Sequence, residues 1–274
     1  MLKKMTCLLA VLSIALSAVF IFGFVRSVNI SSGPAEVNLD NLDDKNEENK
    51  DQLEESKDSI ENYKGGDNMT GSGSDILIMG DSIGFGMGDE EGLGLGERYL
   101  NLMDEKDQEK TDITNISGPG YESGQLIDLI RTGEHDLSIT KASLIVLSIG
   151  GNDINRLEYD DEVGLTIAFQ DTLRSYRENL ELVVVKVREL NPNAQLAIVG
   201  LYDPSASEDP ERTRFLLDWN YQTRLLVESD PSFAYIPTYD IFKYHLELYL
   251  SPDNFHPSAL GYQAIAEELY RILN

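Results

Sequence analysis

The chain has 274 residues, 41% of them hydrophobic, and carries 48 acidic against 22 basic side chains, for a formal net charge of −26. This balance argues against nucleic acid and anionic lipid headgroups as partners, because a phosphate-binding surface needs clustered Lys and Arg. The single cysteine, Cys7, excludes an intramolecular disulfide and a cysteine-based zinc site.

The first 26 residues predict a membrane segment. Lys3 and Lys4 precede an almost unbroken apolar run over residues 5–25, which is long enough to cross a bilayer and longer than most signal-peptide cores. The basic flank predicts a cytoplasmic N-terminus and a chain that continues outside the cytoplasm, although Arg26 weakens this prediction. We therefore expect an uncleaved membrane anchor, with a cleaved signal peptide and secretion as the alternative.

Residues 27–73 differ sharply in composition, being rich in Asp, Glu, Asn, Ser and Lys. Such a segment buries too little apolar surface to offset its ordering entropy, which predicts a disordered, self-repelling stalk. A coil of roughly 45 residues spans about 40 Å. The stalk would hold the following domain away from the membrane. An acidic interaction tail or a calcium buffer is the alternative interpretation.

The remaining domain, residues 74–274, alternates strand-like and helix-like patterns. This alternation is typical of a parallel sheet with helices on both faces, an α/β/α architecture. Strands are predicted at 75–80, 112–116, 143–149, 195–200 and 233–236, and helices at 98–103, 126–130, 165–190, 212–228 and 260–273.

The first strand carries the most informative residues. Its apolar run stops at Gly80 and delivers Asp81 and Ser82 into a glycine-rich turn. Ligands collect at the carboxyl ends of parallel strands, so Ser82 is a candidate nucleophile. Three such common residues also occur by chance as a plain polar turn, so this assignment requires partners elsewhere in the chain.

A serine hydroxyl becomes a nucleophile at neutral pH when a neutral imidazole accepts its proton. Of the three histidines, His135 and His245 fall in predicted surface turns. His256 follows Asp253 by three residues, a spacing that lets the carboxylate hold Nδ1 while Nε2 faces Ser82. Activity should then fall as His256 becomes protonated. Taken alone, the same motif is equally a helix N-terminal cap.

Acyl transfer also needs donors for the negative oxygen of the tetrahedral intermediate. Gly120, in the loop after the second strand, could offer a backbone N–H. Asn152, after the third strand, could offer a side-chain amide. Singly, each is also an ordinary turn residue.

Together these residues form four blocks, and the set resembles the SGNH (GDSL) hydrolase family. The blocks are Gly80–Ser82, Asn115 with Gly120, Gly151–Asp153, and Asp253–His256. Three further stretches resemble a membrane-anchored, extracytoplasmic branch from Gram-positive bacteria, often labelled lipase or acylhydrolase: Gly200–Pro204, Trp219–Asn220 and Asp253–Pro257.

The resemblance implies a flavodoxin-like three-layer fold with a five-stranded parallel sheet and no cofactor. It implies Ser82 as nucleophile, His256 as base and Asp253 as its orienting acid. The implied oxyanion hole consists of the N–H groups of Ser82 and Gly120 with the amide of Asn152.

Two departures from the family pattern are mild. Ile83 replaces the leucine of the GDSL name and should alter only packing beneath the nucleophile. The second block is looser than the others, so Gly118 competes with Gly120 as the oxyanion donor.

These observations predict a serine esterase that hydrolyses carboxylic esters of acyl lipids or of O-acetylated carbohydrate or cell-wall polymers. A non-catalytic cell-surface binding module on the same fold is the alternative. Nucleotide binding is disfavoured because the glycine-rich runs at 84–88 and 92–96 are surrounded by acidic residues and lack a Walker-type lysine. The α/β-hydrolase fold is disfavoured because its Gly-x-Ser-x-Gly elbow is missing.

The substrate pocket is the least determined feature. Its candidate lining residues are aromatic or Met side chains near the predicted strand ends, and each could instead belong to the core. They are Phe85, Met87, Tyr121, Tyr202 and Phe255. A small pocket would suit acetyl groups and a wide pocket lipid esters. No residues have convincing metal-ligand spacing, so we expect no metal.

Overall fold

The computed structural model describes residues 75–205, 210–228 and 230–274. The predicted anchor at 1–26 and the predicted stalk at 27–73 lie outside the described residues. Among the described residues, no helix combines the length and the apolar composition needed to cross a membrane.

One five-stranded parallel sheet organises the domain. Its strands are β1 (Ile76–Gly80), β2 (Ile113–Asn115), β3 (Leu144–Ser148), β4 (Gln195–Val199) and β5 (Phe233–Ile236). They lie in the order β2-β1-β3-β4-β5, which is that of flavodoxin-like folds and confirms the predicted architecture. Strands β1 and β3, inside the sheet, are buried along their whole length, which explains their continuous apolar runs.

Helices connect the strands and flank the sheet. In the described residues they are α1 (Ser82–Phe85), α2 (Gly94–Leu100), α3 (Glu105–Gln108), α4 (Ser123–Arg131), α5 (Asp136–Lys141), α6 (Gly151–Asn155), α7 (Glu162–Leu190), α8 (Pro210–Val227), α9 (Thr238–Phe242), α10 (Leu246–Tyr249) and α11 (Ala259–Leu273).

The sheet separates two hydrophobic cores, as a three-layer fold requires. Successive side chains of a strand point to opposite faces. In β1, Leu77 and Met79 join a core that includes α4, α7 and α8, while Ile76 and Ile78 join a core that includes α2 and α11. The predicted helices on both faces are thereby confirmed.

Local capping explains where the helices differ from prediction. Helix α2 begins at Gly94, earlier than predicted, because the Asp89 carboxylate accepts a hydrogen bond from the Gly94 N–H at 2.7 Å. Helix α7 begins at Glu162, where Asp161 caps it through the Gly164 N–H at 2.7 Å. The short α1 and α6 were missed because their glycines favour a loop prediction.

Candidate active site

The turn after β1 begins with a backbone contact that only glycine allows. Gly80 has φ +146°, and a Cβ there would lie 1.8 Å from the carbonyl oxygen of Ser148. Without that atom, the Asp81 N–H donates to the Ser148 carbonyl at 2.7 Å. This contact ties the ends of β1 and β3 together and sets the start of α1, whose first residue is Ser82.

Asp81 is a buried carboxylate that caps α1. Its Oδ1 accepts hydrogen bonds from the Ile83 N–H and the Ser148 hydroxyl, each at 3.0 Å. Burial raises the pKa of Asp81 to about 6, against these hydrogen bonds, which act to lower it. The side chain therefore fixes the turn that carries Ser82. Sequence reasoning gave Asp81 no role, although Asp directly before a helix is a capping signal.

The structure joins the predicted nucleophile Ser82, base His256 and acid Asp253 in one hydrogen-bonded series. His256 Nε2 lies 2.9 Å from Ser82 Oγ, and His256 Nδ1 lies 2.7 Å from Asp253 Oδ2. A carboxylate can only accept, so we assign the ring proton to Nδ1. Nε2 is then free to accept the hydroxyl proton of Ser82.

The loop that carries Asp253 holds its carboxylate firmly. Asp253 Oδ1 accepts from the Ser251 hydroxyl at 2.7 Å and from the N–H groups of Phe255 and His256, each at 2.9 Å. Burial alone would raise the pKa of Asp253, but hydrogen bonds from His256 and Ser251 outweigh it and hold that pKa well below its ordinary value. The group is therefore ionised at neutral pH. Ser251 had no predicted role.

A glycine on the opposite side makes room for His256. Gly88 has φ +90°, and a Cβ there would lie 2.7 Å from both His256 Cβ and the Pro257 carbonyl oxygen. The preceding residue is tied to the site, since the Met87 N–H donates to the Ser82 carbonyl at 2.9 Å. No signal in the sequence distinguishes Gly88 from its neighbouring glycines.

The two glycines considered as oxyanion donors differ in their hydrogen bonds. The Gly118 N–H donates to the Gly80 carbonyl at 2.9 Å and is therefore occupied. The N–H groups of Gly120 and Ser82 have no acceptor among the described residues. Asn152 Nδ2 donates to the Tyr121 carbonyl at 2.9 Å, which leaves its second N–H available. Within the described residues, neither Gly120 nor Asn152 hydrogen-bonds to Ser82.

Further polar contacts join the loops at this edge of the sheet. Asn115 Nδ2 donates to the Gly84 carbonyl at 2.8 Å, which links β2 to α1. Asp153 accepts from the Ser123 N–H at 3.0 Å and from its hydroxyl, which links α6 to α4. Burial raises the pKa of Asp153 against those bonds. Asn115 and Asp153 belong to the blocks singled out in the sequence, but their contacts were not predicted.

Comparison with known proteins matches this arrangement to a family. The sequence profile of the GDSL-like Lipase/Acylhydrolase family matches residues 78–264. The chain belongs to this family. It is therefore a carboxylic ester hydrolase, and the esterase class predicted from the four blocks is confirmed.

Individual relatives of this GDSL hydrolase are distant. The chain is 28% identical to the uncharacterized protein YpmR of Bacillus subtilis over 72% of this chain and 80% of YpmR. It is 27% identical to the spore germination lipase LipC of Bacillus licheniformis, over 70% of this chain and 92% of LipC. The crystal structure of the lipase Lip_vut3 from a goat rumen metagenome superimposes with a TM-score of 0.60 at 24% identity, covering 72% of this chain and 96% of Lip_vut3.

The other two histidines of this GDSL hydrolase lie apart from the site. His245 is exposed and directly precedes α10, while His135 is half-buried and directly precedes α5. Neither contacts Ser82 within the described residues. In that same part of the chain, no group of three or more His, Cys, Asp or Glu side chains is placed to hold a metal ion.

A cleft of about 320 Å³ opens beside the site. Ile83, Gly151 and Phe255 line it, so it adjoins the residues next to Ser82, Asn152 and His256. Its remaining wall is mostly apolar and includes Leu157, Leu165, Leu201, Tyr202, Phe215 and Leu216, while Asn155, Asp203 and Arg212 contribute polar groups.

The pocket hypothesis is correct for two of its five residues. Tyr202 and Phe255 line the cleft. Phe85 and Met87 do not line it and are exposed to solvent, at 56% and 42%. Tyr121 is half-buried and packs against Gly118 and the core beside α4.

Replacing Gly88 tests whether the position of His256 depends on it. Gly88→Ala should lower kcat by about 10²-fold, since a displacement of about 1 Å at a catalytic group costs that much. Gly92→Ala is the matched control, because Gly92 also has positive φ (+71°) but no atom within 4 Å of its added Cβ. Steady-state kinetics that show equal losses for the two variants would contradict the steric argument.

Asp81 generates a stability prediction. Because burial raises its pKa from 3.8 to about 6, the folded state binds the proton more tightly than the unfolded state does. The free energy of unfolding therefore falls as pH rises through this interval, by about 3 kcal/mol. Asp81→Asn keeps an acceptor oxygen and removes the titration. Its free energy of unfolding relative to wild type should rise by about 3 kcal/mol from about pH 3 to pH 7. A pH-independent difference in urea unfolding would contradict this.

Proposed function

We propose that this GDSL hydrolase cleaves carboxylic esters through an acyl-enzyme on Ser82. His256 is the general base and Asp253 orients and stabilises its imidazolium. The observation that supports these roles is the unbroken hydrogen-bonded series, 2.9 Å from Ser82 Oγ to His256 Nε2 and 2.7 Å from His256 Nδ1 to Asp253 Oδ2.

The chemistry proceeds in two halves. Ser82 Oγ attacks the ester carbonyl carbon while its proton passes to His256 Nε2, and the same proton then leaves with the departing alcohol. Water next attacks the acyl-enzyme, gives a proton to His256 and releases the acid together with the restored hydroxyl. Asp253 stays ionised throughout, in keeping with the lowered pKa of its carboxyl group.

The oxyanion hole in this proposal consists of the N–H groups of Ser82 and Gly120 and the free N–H of the Asn152 amide. Two hydrogen bonds support this choice of donors. The competing Gly118 N–H already donates to the Gly80 carbonyl, and the bond from Asn152 to the Tyr121 carbonyl fixes the Asn152 amide in one orientation. Preorganised donors of this kind stabilise the transition state without reorganisation.

The cleft favours an aliphatic acyl ester over an O-acetyl group as substrate. An acetyl group leaves most of this cleft of about 320 Å³, whose wall is mostly apolar, empty. Each further methylene placed in such a pocket adds about 1–3 kcal/mol of discrimination. The relative LipC is named a lipase, which agrees with a lipid ester, at 27% identity. We therefore propose an ester of a short or medium-length fatty acid.

We further propose that residues 5–25 anchor the enzyme and that the domain lies outside the cytoplasm, in a membrane-anchored branch of the family. The apolar run with Lys3 and Lys4 before it supports this orientation. Protease added to intact cells should remove the domain and leave a protected N-terminal fragment. A full-length chain that survives until the cells are lysed would contradict the orientation.

Covalent labelling tests the catalytic roles. A fluorophosphonate should form one adduct on Ser82, detected by mass spectrometry, and Ser82→Ala and His256→Ala should both abolish it. His245→Ala is the matched control and should leave labelling intact.

Asn152→Ala should lower kcat by about 10² to 10³ through loss of an oxyanion donor.

The wild-type protein should hydrolyse p-nitrophenyl butyrate and p-nitrophenyl hexanoate with a higher kcat/KM than p-nitrophenyl acetate. A preference for acetate would favour the O-acetyl polymer as substrate. A folded protein that forms no adduct would contradict the roles of Ser82 and His256.

A further inference from the structure

Five exposed apolar side chains belong to the two segments that carry Ser82 and His256, and we call them the apolar rim. They are Phe85, Met87, Leu248, Phe255 and Leu260, with exposed fractions of 56%, 42%, 59%, 39% and 55%. They come from two segments that pack together, one starting at α1 and the other running from α10 to the start of α11.

Hydrogen bonds close to the site fix the backbone of the rim. The Met87 N–H donates to the Ser82 carbonyl at 2.9 Å, and the Met87 carbonyl accepts from the Tyr262 hydroxyl at 2.8 Å. The Leu248 carbonyl accepts from the hydroxyl of Ser258, the cap of α11, at 2.7 Å. The exposure of these apolar groups is therefore part of the folded state.

Carboxylates in the first segment are only partly compensated within the protein. Arg98 pairs with Asp89 at 2.8 Å and with Glu91 at 3.0 Å. Glu90 accepts from the Ala259 N–H at 2.8 Å, at the start of α11. One guanidinium against three carboxylates leaves this segment acidic, in keeping with the net charge of −26.

The second segment is acidic as well. Glu247 is exposed, and Lys243 lies just before the segment. The Asp253 carboxylate is held by His256 and Ser251. Exposed apolar groups among acidic side chains suit an uncharged apolar surface rather than an anionic one.

We propose that the apolar rim docks onto the surface of an aggregated, electrically neutral lipid, so that Ser82 meets ester substrate at that surface. This inference rests on the proposed function. Phe255 belongs both to the rim and to the cleft wall, so the docking surface is continuous with the substrate site. The net charge of −26 opposes an anionic lipid surface and favours a neutral one.

The test compares two substrates for the full-length enzyme: p-nitrophenyl butyrate free in solution and p-nitrophenyl dodecanoate in phosphatidylcholine vesicles. The triple variant Met87→Ser, Leu248→Ser, Leu260→Ser should lower the ratio of vesicle to solution rate by about tenfold, because less apolar surface leaves water. Its kcat/KM on butyrate should stay unchanged.

The matched control is the triple variant Leu137→Ser, Leu182→Ser, Val185→Ser, whose wild-type side chains are 64%, 42% and 53% exposed on α5 and α7. This control should keep the wild-type ratio. An equal loss in both triple variants, or no loss in the rim variant, would overturn the docking proposal.

Other outcomes separate the hypotheses. A wild-type enzyme that fails on butyrate would refute the proposed function rather than the docking surface. Faster turnover in phosphatidylglycerol than in phosphatidylcholine vesicles would overturn the neutral-surface assignment. Sedimentation could also show a wild-type dimer that dissociates in the rim variant. The rim would then bind a second copy of the chain, which would overturn the lipid-docking proposal.

Discussion

The carboxyl ends of β1 and β3 approach so closely that no side chain fits between them, and the position of Ser82 depends on that contact. Gly80 leaves room for the Ser148 carbonyl, which accepts the Asp81 N–H at 2.7 Å. Asp81 then accepts from the Ser148 hydroxyl and caps α1. One backbone contact and one buried carboxylate thus place the serine at the edge where parallel strands collect ligands.

The second half of the site arrives from 174 residues further along the chain. His256 reaches Ser82 because Gly88 has no side chain to collide with His256 and because the Asp253 side chain holds the loop. Neither feature adds hydrophobic burial. They restrict the imidazole to one orientation, and such restriction is what a proton acceptor for Ser82 requires.

Charge is distributed unevenly over this acidic protein. The chain as a whole carries −26, and the carboxylates of residues 89–91 share one guanidinium, that of Arg98, and the N–H at the start of α11. Burial of Asp81 lowers stability at neutral pH, since burial raises its pKa to about 6. The proposed lipid substrate and the proposed docking surface both fit this pattern, in which an apolar cleft continues into an apolar rim.

The sequence by itself determined the five parallel strands and the selection of Ser82, Asp253 and His256 as candidate catalytic residues, because apolar runs and short spacings are local properties of a chain. Only the tertiary structure decided which of the two glycine N–H groups, that of Gly118 or that of Gly120, lacks an acceptor. The Gly118 N–H donates to the carbonyl of Gly80, which lies on β1, far away in the sequence. It also decided that Phe85 is exposed although it was expected in the pocket. Exposure and hydrogen-bond occupancy depend on distant segments packing together, and no local pattern encodes that packing.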